Sequence, residues 1–440
     1  MSKPIAITEQ ILRFALETQP RDVPDSTLDI LRLSLTDWVA VAIAGQNEPV
    51  AKIIRAQICN EAGAEQAFVF GSDTRYPARA AALANGTISH ALDYDDTHFD
   101  SLGHPSVAVI PAALAVADQL GSHPKAFQHA ALLGAELAVR IGTWLGRDHY
   151  RVGFHVTATA GTFGSAVAAA RLLDLSPEQT HNALSLAASR ASGIKAQFGA
   201  MGKPFHAGMA ASNGVEVALL AHRGFVATPF ALEAPQGFAA THLGFDETSA
   251  FDALGAEFVF DKVSHKFHAC CHGTHAMIEA LNELRKDPRV RPAEIRAVEV
   301  VVHPQYLSIC NITAPQTGLE AKFSYRLVAA LALSGYDTAK HETFNTANCK
   351  CPRLSALRDR VTVITSKQLP ETATEIRLKL QQGASLSARH DLLTDIDTAA
   401  RQAKLRAKVT SLLGKRAAIS LWQRVASGQQ LPSDWMMQNI

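Results

Sequence analysis

The sequence predicts a mostly α-helical protein with an α+β second domain: a large all-helical domain, discontinuous in the chain, and a smaller α+β domain. Three observations carry this. Aromatic residues make up only 7% of the 440 residues while hydrophobic residues make up 47%, a balance that favours packed helices over a β-sandwich. From residue 107 to about residue 223 the pattern is helix after helix, and over 28–42 apolar residues recur at spacings of three and four. After about residue 255 β-branched runs enter, at 295–302 and 360–365, and these read as strands. The expected domains are 1–255 with 395–440, helical, and 256–394, α+β.

Taken in order, Leu28, Leu31, Leu35, Trp38 and Ala42 line one face of a helix that ends near Gly45. Helical patterning continues over 50–61. Ala67-Phe68-Val69-Phe70 is too short for a helix and is bounded by Gly71-Ser72, so it is expected to be extended. Pro77 suits a first helical turn, and a helix is expected from Ala78 to His90. Further helices are expected over 107–120, 126–145, 157–173, 177–191 and 207–222. Ser176-Pro177-Glu178-Gln179 places Ser at an N-cap, Pro at N1 and Gln at N3. Gly224 suits a C-cap. The charge-free stretch from Val152 to Ala170 is long enough for a bilayer but too polar to prefer one, and reads as a buried core helix. In the second domain, helices over 274–285 and 322–334 alternate with the strands, and segments 375–380 and 385–388 flank Gln382-Gly383 as a hairpin. Helical patterning returns over 395–427.

The formal net charge of +1 gives no reason to expect nucleic acid or an anionic membrane as partner. The first nine residues carry no basic stretch followed by an apolar one, so no signal peptide is read. The six cysteines, at 59, 270, 271, 310, 349 and 351, show no framework spacing. They are expected to be reduced thiols in a cytoplasmic protein.

Four polar clusters stand out. The first runs from Asp93 to His104 and holds four carboxylates, three hydroxyls and two imidazoles, set between two segments that read as buried helices. Groups this dense are costly to bury unless each finds a partner. Asp93, Asp95, Asp96, His98 and His104 could ligate a metal, but no glycine falls between Asp93 and Asp100 to make a cation-binding turn. The alternatives are acid–base chemistry, in which a carboxylate holds an imidazole in one tautomer, and a solvated loop. The second cluster is Gly202-Lys203-Pro204-Phe205-His206, where a lysine at a helix start sits beside unpaired N–H groups and suits an anion; the bland alternative is a surface lysine. The third, His265 to His275, carries four histidines and adjacent Cys270 and Cys271. Adjacent thiols do not suit a structural zinc loop, although Cys349 and Cys351 could complete a zinc site; the competing reading is a loop entering the helix at Thr274, with Lys266 as a second cation. The fourth is Phe154-His155 before Thr157, where His155 alone reads more readily as a satisfied core histidine than as a catalyst. Nucleotide-binding loops, a serine-nucleophile elbow and a zinc-protease helix motif are absent from the sequence.

Leu92-Asp93-Tyr94-Asp95-Asp96-Thr97, Gly103-His104-Pro105-Ser106, Phe154-His155, Lys203 to Gly208, Leu232 to Phe238, Lys266 to Cys271 and Thr274-His275 resemble, in this order, the motifs of the MmgE/PrpD family. The resemblance covers nearly the whole chain. It implies a large helical domain, a smaller α+β domain, a homodimer and a cofactor-free site, without metal, in the cleft between the domains. Activities in the family include 2-methylcitrate dehydration, cis-aconitate decarboxylation and iminodisuccinate epimerisation, all of which move a proton at carbon beside a carboxylate of a small di- or tricarboxylate.

Carried over residue by residue, the resemblance implies His104 as general acid/base, Asp93 as its orienting or relay partner and His155 as a second acid/base or positioning group. Thr97, Lys203 and Lys266 would bind substrate. Cys271 stands where the decarboxylase has a histidine, which places decarboxylation behind dehydration as the expected activity, with epimerisation as the other alternative. His275, just inside a helix, is expected to serve structure. Outside this family two readings compete: a helical polycarboxylate-binding protein with no chemistry, and a metal-dependent hydrolase.

Overall fold

The computed structural model describes residues 6–244, 248–394 and 396–439. Position 395, where the sequence places the start of the C-terminal segment, lies outside the described residues, as do 1–5 and 440. The chain divides into two compact units, Met1–His265 with Leu413–Ile440, and Lys266–Leu412.

The first unit is helical. Its long elements are α1 (Ile7–Glu17), α2 (Asp25–Gly45), α3 (Pro49–Glu61), α4 (Ala78–Ser89), α5 (Pro105–Leu120), α6 (Pro124–Val152), α7 (Val156–Leu172), α8 (Pro177–Arg190) and α9 (Gly202–His222). A one-turn α10 (Phe238–Thr241) follows. Ala67 pairs with Tyr76 in an isolated bridge, the extended piece that the sequence suggests. Ser176 and Gln179 form a reciprocal capping box at the start of α8.

Helices α5 and α7 are the centre of this unit. Every residue of α7 from Val156 to Ala170 is buried. Small residues let the neighbours approach. A Cβ on Gly134 of α6 would lie 2.5 Å from the Gly164 carbonyl oxygen of α7, and one on Gly86 of α4 would lie 2.7 Å from the Gly208 Cα of α9. A side chain at either position would have to push the helices apart.

The stretch from Val152 to Ala170 is not one helix. Val152 ends α6 with 57% exposure, and Gly153 turns the chain with φ +126°, a conformation that favours glycine. The turn makes His155 the N-cap of α7.

The second unit holds α11 (His275–Leu284), β1 (Ile295–Val302), α12 (Gly318–Ala321), α13 (Tyr325–Leu333), α14 (Thr346–Cys349), α15 (Pro352–Arg358), β2 (Val361–Thr365), β3 (Ala373–Leu380), β4 (Ser385–Asp391) and α16 (Thr398–Leu413). The sheet order is β2-β1-β3-β4. β1 and β2 are parallel, and the other two pairings are antiparallel. On β3, Ile376, Leu378 and Leu380 are buried while Arg377 and Lys379 between them are exposed, the two-residue period of a half-buried strand.

Where the sequence reading places 395–440 with the helical domain, α16 groups with the second unit. Its Leu405 and Val409 are fully buried, Lys404 pairs with Glu279 at 2.6 Å and Ser411 bonds Asp337. The expected run of helix to 427 breaks at Gly414, φ +79°, after which α17 (Lys415–Leu421) and α18 (Pro432–Asn439) close the chain. No helix among the described residues is long and apolar enough to cross a membrane.

Candidate active site

The loop after α4 folds its charges inward. Asp93 adopts a left-handed backbone conformation, φ +50°, and its N–H bonds the His90 carbonyl. Aspartate tolerates this conformation better than most residues, so the loop turns tightly without a glycine. Asp95 and Asp96 are then both 1% exposed.

The two adjacent carboxylates do different work. The Ser106 hydroxyl donates to Asp96 Oδ2, and the Ser106 N–H approaches Asp96 Oδ1, so Asp96 caps the first turn of α5. Burial pushes its pKa up to about 7, only partly offset by the Ser106 bond. Asp95 instead accepts from two imidazoles: His104 Nδ1 lies 2.7 Å from Oδ2, and His90 Nδ1 lies 2.8 Å from Oδ1. Burial alone would raise the Asp95 pKa, but the two histidines outweigh it and hold the carboxyl well below its ordinary range.

The orienting carboxylate of His104 is therefore Asp95, where the family resemblance points to Asp93. With Nδ1–H given to Asp95, the other ring nitrogen of His104, Nε2, faces Asp93 Oδ1 at 3.6 Å, beyond direct hydrogen-bond range. Asp93 Oδ2 is paired with Lys203 Nζ at 2.6 Å. Lys203 also lies over the Phe198 ring. Asp93, His104 and Lys203 thus form one chain of contacts.

His155 joins from the other side. It is 2% exposed, its ring stacks with His90 at 6.3 Å between centroids, and its Nδ1 lies 3.1 Å from His206 Nδ1. Burial, then the positive field of Lys203 and the neighbouring imidazoles, holds His155 well below the usual histidine range, so it is neutral at pH 7.

Three long helices begin at this site. His104 is the N-cap of α5, His155 is the N-cap of α7, and Lys203 sits in the first turn of α9. None of the three has a side-chain bond from its N-cap residue, and none carries an acidic residue in its first turn. Asp96 already meets the start of α5; the positive ends of α7 and α9 lie beside the Lys203 ammonium, an arrangement suited to carboxylates.

Thr97 lies in the same loop, its backbone paired in both directions with Ser264. His98, a candidate ligand from the sequence, bonds the Val259 carbonyl through Nε2 and serves the loop. Lys266 and Cys271 belong to the second unit. Lys266 is 3% exposed and Cys271 half-buried. His275 is buried and approaches the Cys270 carbonyl.

His90 and His206 are site groups that the motif reading does not assign. Their signal in the sequence is a histidine at the end of a small-residue helix and another near the start of a glycine-containing one. His90, Asp93, Asp95 and His104 also present ligand-type atoms within 4.8 Å of one another. In the structure Asp95 uses both oxygens for imidazole donors and Asp93 pairs with Lys203, so protein groups already meet these charges.

The family model described as the MmgE/PrpD N-terminal domain matches residues 9–250, and the one described as the MmgE/PrpD C-terminal domain matches residues 268–427. Curated relatives include a cis-aconitate decarboxylase-like protein of Aspergillus oryzae, 30% identical over 64% of this chain and 62% of that protein. The chain thus spans somewhat less than two thirds of that relative. The cis-aconitate decarboxylase of Aspergillus terreus is 27% identical over 87% of this chain and 84% of its own length. The cis-aconitate decarboxylase of Homo sapiens is 29% identical over 72% and 69%. These similarities support a lyase-type enzyme; they do not single out dehydration, the activity that the motif reading puts first.

Proposed function

Because the chain belongs to the MmgE/PrpD family, we propose that it is a lyase that moves a proton at carbon beside a carboxylate of a small di- or tricarboxylate. The observation that carries this is the convergence of three helix starts and Lys203 on His104, an imidazole held by a buried carboxylate. A site built only to bind polycarboxylates needs the cations and the helix ends; it has no use for a base with an orienting partner.

In this reading Lys203 exchanges part of its bond to Asp93 for a substrate carboxylate. Lys266, Thr97 and Cys271 complete the substrate-binding set that the resemblance implies. His104, with its Nδ1–H fixed by Asp95, uses Nε2 to take a proton from carbon or return one. The charge that develops beside the substrate carboxylate is stabilised by Lys203 and the helix ends. When His104 becomes an imidazolium, Asp95 and Asp93 stabilise it. His155, neutral and dry, positions the substrate or delivers a proton to the opposite face.

Two lyase reactions fit this set. Loss of carbon dioxide from a cis-aconitate-like tricarboxylate leaves an allylic carbanion that His104 protonates, and the relatives' names favour this course. Removal of a proton and a hydroxide from a 2-methylcitrate-like hydroxy acid uses His104 as base, and Cys271 at the position of the decarboxylase histidine favours that one. Proton NMR in D2O with cis-aconitate, citrate, methylcitrate and iminodisuccinate separates them. A vinylidene product with release of carbon dioxide means decarboxylation, and a new vinyl or methyl signal from a hydroxy acid means dehydration. Deuterium uptake with an unchanged skeleton means epimerisation instead of lyase chemistry. No change with any of them, from folded protein, counts against the acid–base reading.

A further inference from the structure

His90 ends α4 as its C-cap residue. Its side chain is fully buried, and one nitrogen, Nδ1, bonds Asp95. The other, Nε2, is buried without a hydrogen-bond partner among the described residues. A polar atom buried this way has lost its water and gained no partner, and an apolar side chain of similar size would avoid that cost. Core packing therefore does not explain a histidine here.

Its geometry does. A carboxylate with 1% exposure needs both oxygens satisfied, and His104 supplies a donor to only one of them. His90 supplies the other, and its ring stands edge-on to His104 at 4.6 Å between centroids. With both oxygens engaged, Asp95 cannot rotate about its own bond, and Oδ2 stays aimed at His104 Nδ1. A histidine ring oriented through a carboxylate in this way keeps one tautomer, with the opposite nitrogen left for chemistry.

We propose that His90 is a positioning residue: by clamping Asp95 it holds His104 in the Nδ1–H tautomer, with Nε2 turned toward Asp93 and Lys203. The inference rests on His104 being the acid–base group, but its structural half can be measured without substrate. The charged and titratable groups around the clamp are Asp93, Lys203, His155, His206 and, behind Asp95, Asp96.

Two substitutions test it. His90→Phe keeps the ring volume and removes the donor; His90→Asn places an amide N–H near the position of Nδ1. Histidine 15N NMR of the substrate-free protein reads the tautomer of His104, and steady-state rates on the substrate found in the D2O panel read its consequence. Wild type should show a single Nδ1–H tautomer for His104. His90→Phe should give a mixed tautomer and a kcat lower by about 10- to 100-fold, the scale of a misplaced catalytic group, with KM within about threefold. His90→Asn should restore the tautomer and most of kcat. A single, wild-type-like tautomer in His90→Phe with kcat unchanged overturns the proposal. If His90→Phe does not fold, His90→Leu and His90→Asn are compared in the same way: equal tautomers and rates in the two overturn it, and rescue by Asn alone supports it. If no substrate is turned over even by wild type, the functional reading fails, while the NMR result still decides the clamp.

Discussion

Two clusters of buried charge lie in the helical unit, and they are built to opposite ends. In one, Arg140 Nε donates to Glu136 Oε1 at 2.6 Å, and its two terminal nitrogens donate to the carbonyls of Ala250, Asp252 and Glu257. Glu136 in turn accepts from the N–H groups of Val259 and Phe260. Every contact is to this chain's own backbone or to the pair itself. The product is a fixed segment 250–260, leading to the Ser264–Thr97 pairing. In the other, Asp95 holds two imidazoles, and His104 turns its second nitrogen to Asp93 and Lys203 at the start of three helices. Burial of charge does not mark a functional site by itself. The second cluster differs in that its polar groups face one another at the starts of three helices and are not tied off on the backbone.

The largest expected effect is on the second cluster. His104→Ala should lower the rate of proton transfer at carbon by about 10²- to 10⁴-fold in a protein that melts near the wild-type temperature, measured by deuterium uptake beside thermal unfolding. Arg140→Met should do the reverse. Removing one partner of a buried pair costs about 3–5 kcal/mol, so chemical denaturation should show a large loss of stability, while the folded fraction keeps its kcat. A variant of Arg140 that stays stable and loses turnover would break the contrast.

Smaller effects sharpen it. Lys203→Ala should raise KM for the polycarboxylate by about 10- to 100-fold, the worth of a charge-assisted hydrogen bond, with a lesser change in kcat; equal loss at all substrate concentrations would move Lys203 out of the binding role. Asp96 gives a pH signature. Its folded-state pKa, pushed up by burial to about 7, is above that of an unfolded carboxyl. The folded form thus holds a proton that the unfolded chain has lost, and stability falls as pH rises from about 4 to 7. Asp96→Asn removes that fall. Its gain in melting temperature over wild type should be larger at pH 8 than at pH 5, and a gap that shrinks with rising pH would contradict the assignment. The smallest effect concerns metal. Prolonged chelation should leave the rate unchanged, and elemental analysis should find no stoichiometric ion; a rate restored by one divalent cation would turn the same four side chains into ligands.

Much of the fold was legible because helix periodicity is a local signal. The face Leu28, Leu31, Leu35, Trp38 and Ala42 belongs to α2, and the capping box at Ser176 starts α8. The hairpin around Gln382-Gly383 joins β3 and β4, with Gly383 at φ +87°. Breaks were harder to see. Gly153 and Gly414 interrupt helical patterns where the flanking residues remain good helix formers, and only their positive φ values end the helices. The same limit governs the site. Asp93, His104, His155 and Lys203 were found by residue type and motif, and the structure brings them together. The pairing of His104 with Asp95, and of Asp95 with His90, depends on how an irregular loop turns at Asp93, for which no periodic pattern exists. His90 was masked further by lying at the end of a helix that otherwise reads as apolar.

The most direct test of the account compares Asp95→Asn with Glu136→Gln in one experiment: deuterium uptake into the substrate found in the D2O panel, with the folded fraction measured for each. Asp95→Asn should remain folded and lose at least about 100-fold in rate, while Glu136→Gln should lose stability and keep the wild-type rate within about threefold per folded molecule. A folded Asp95→Asn variant with the wild-type rate would contradict it.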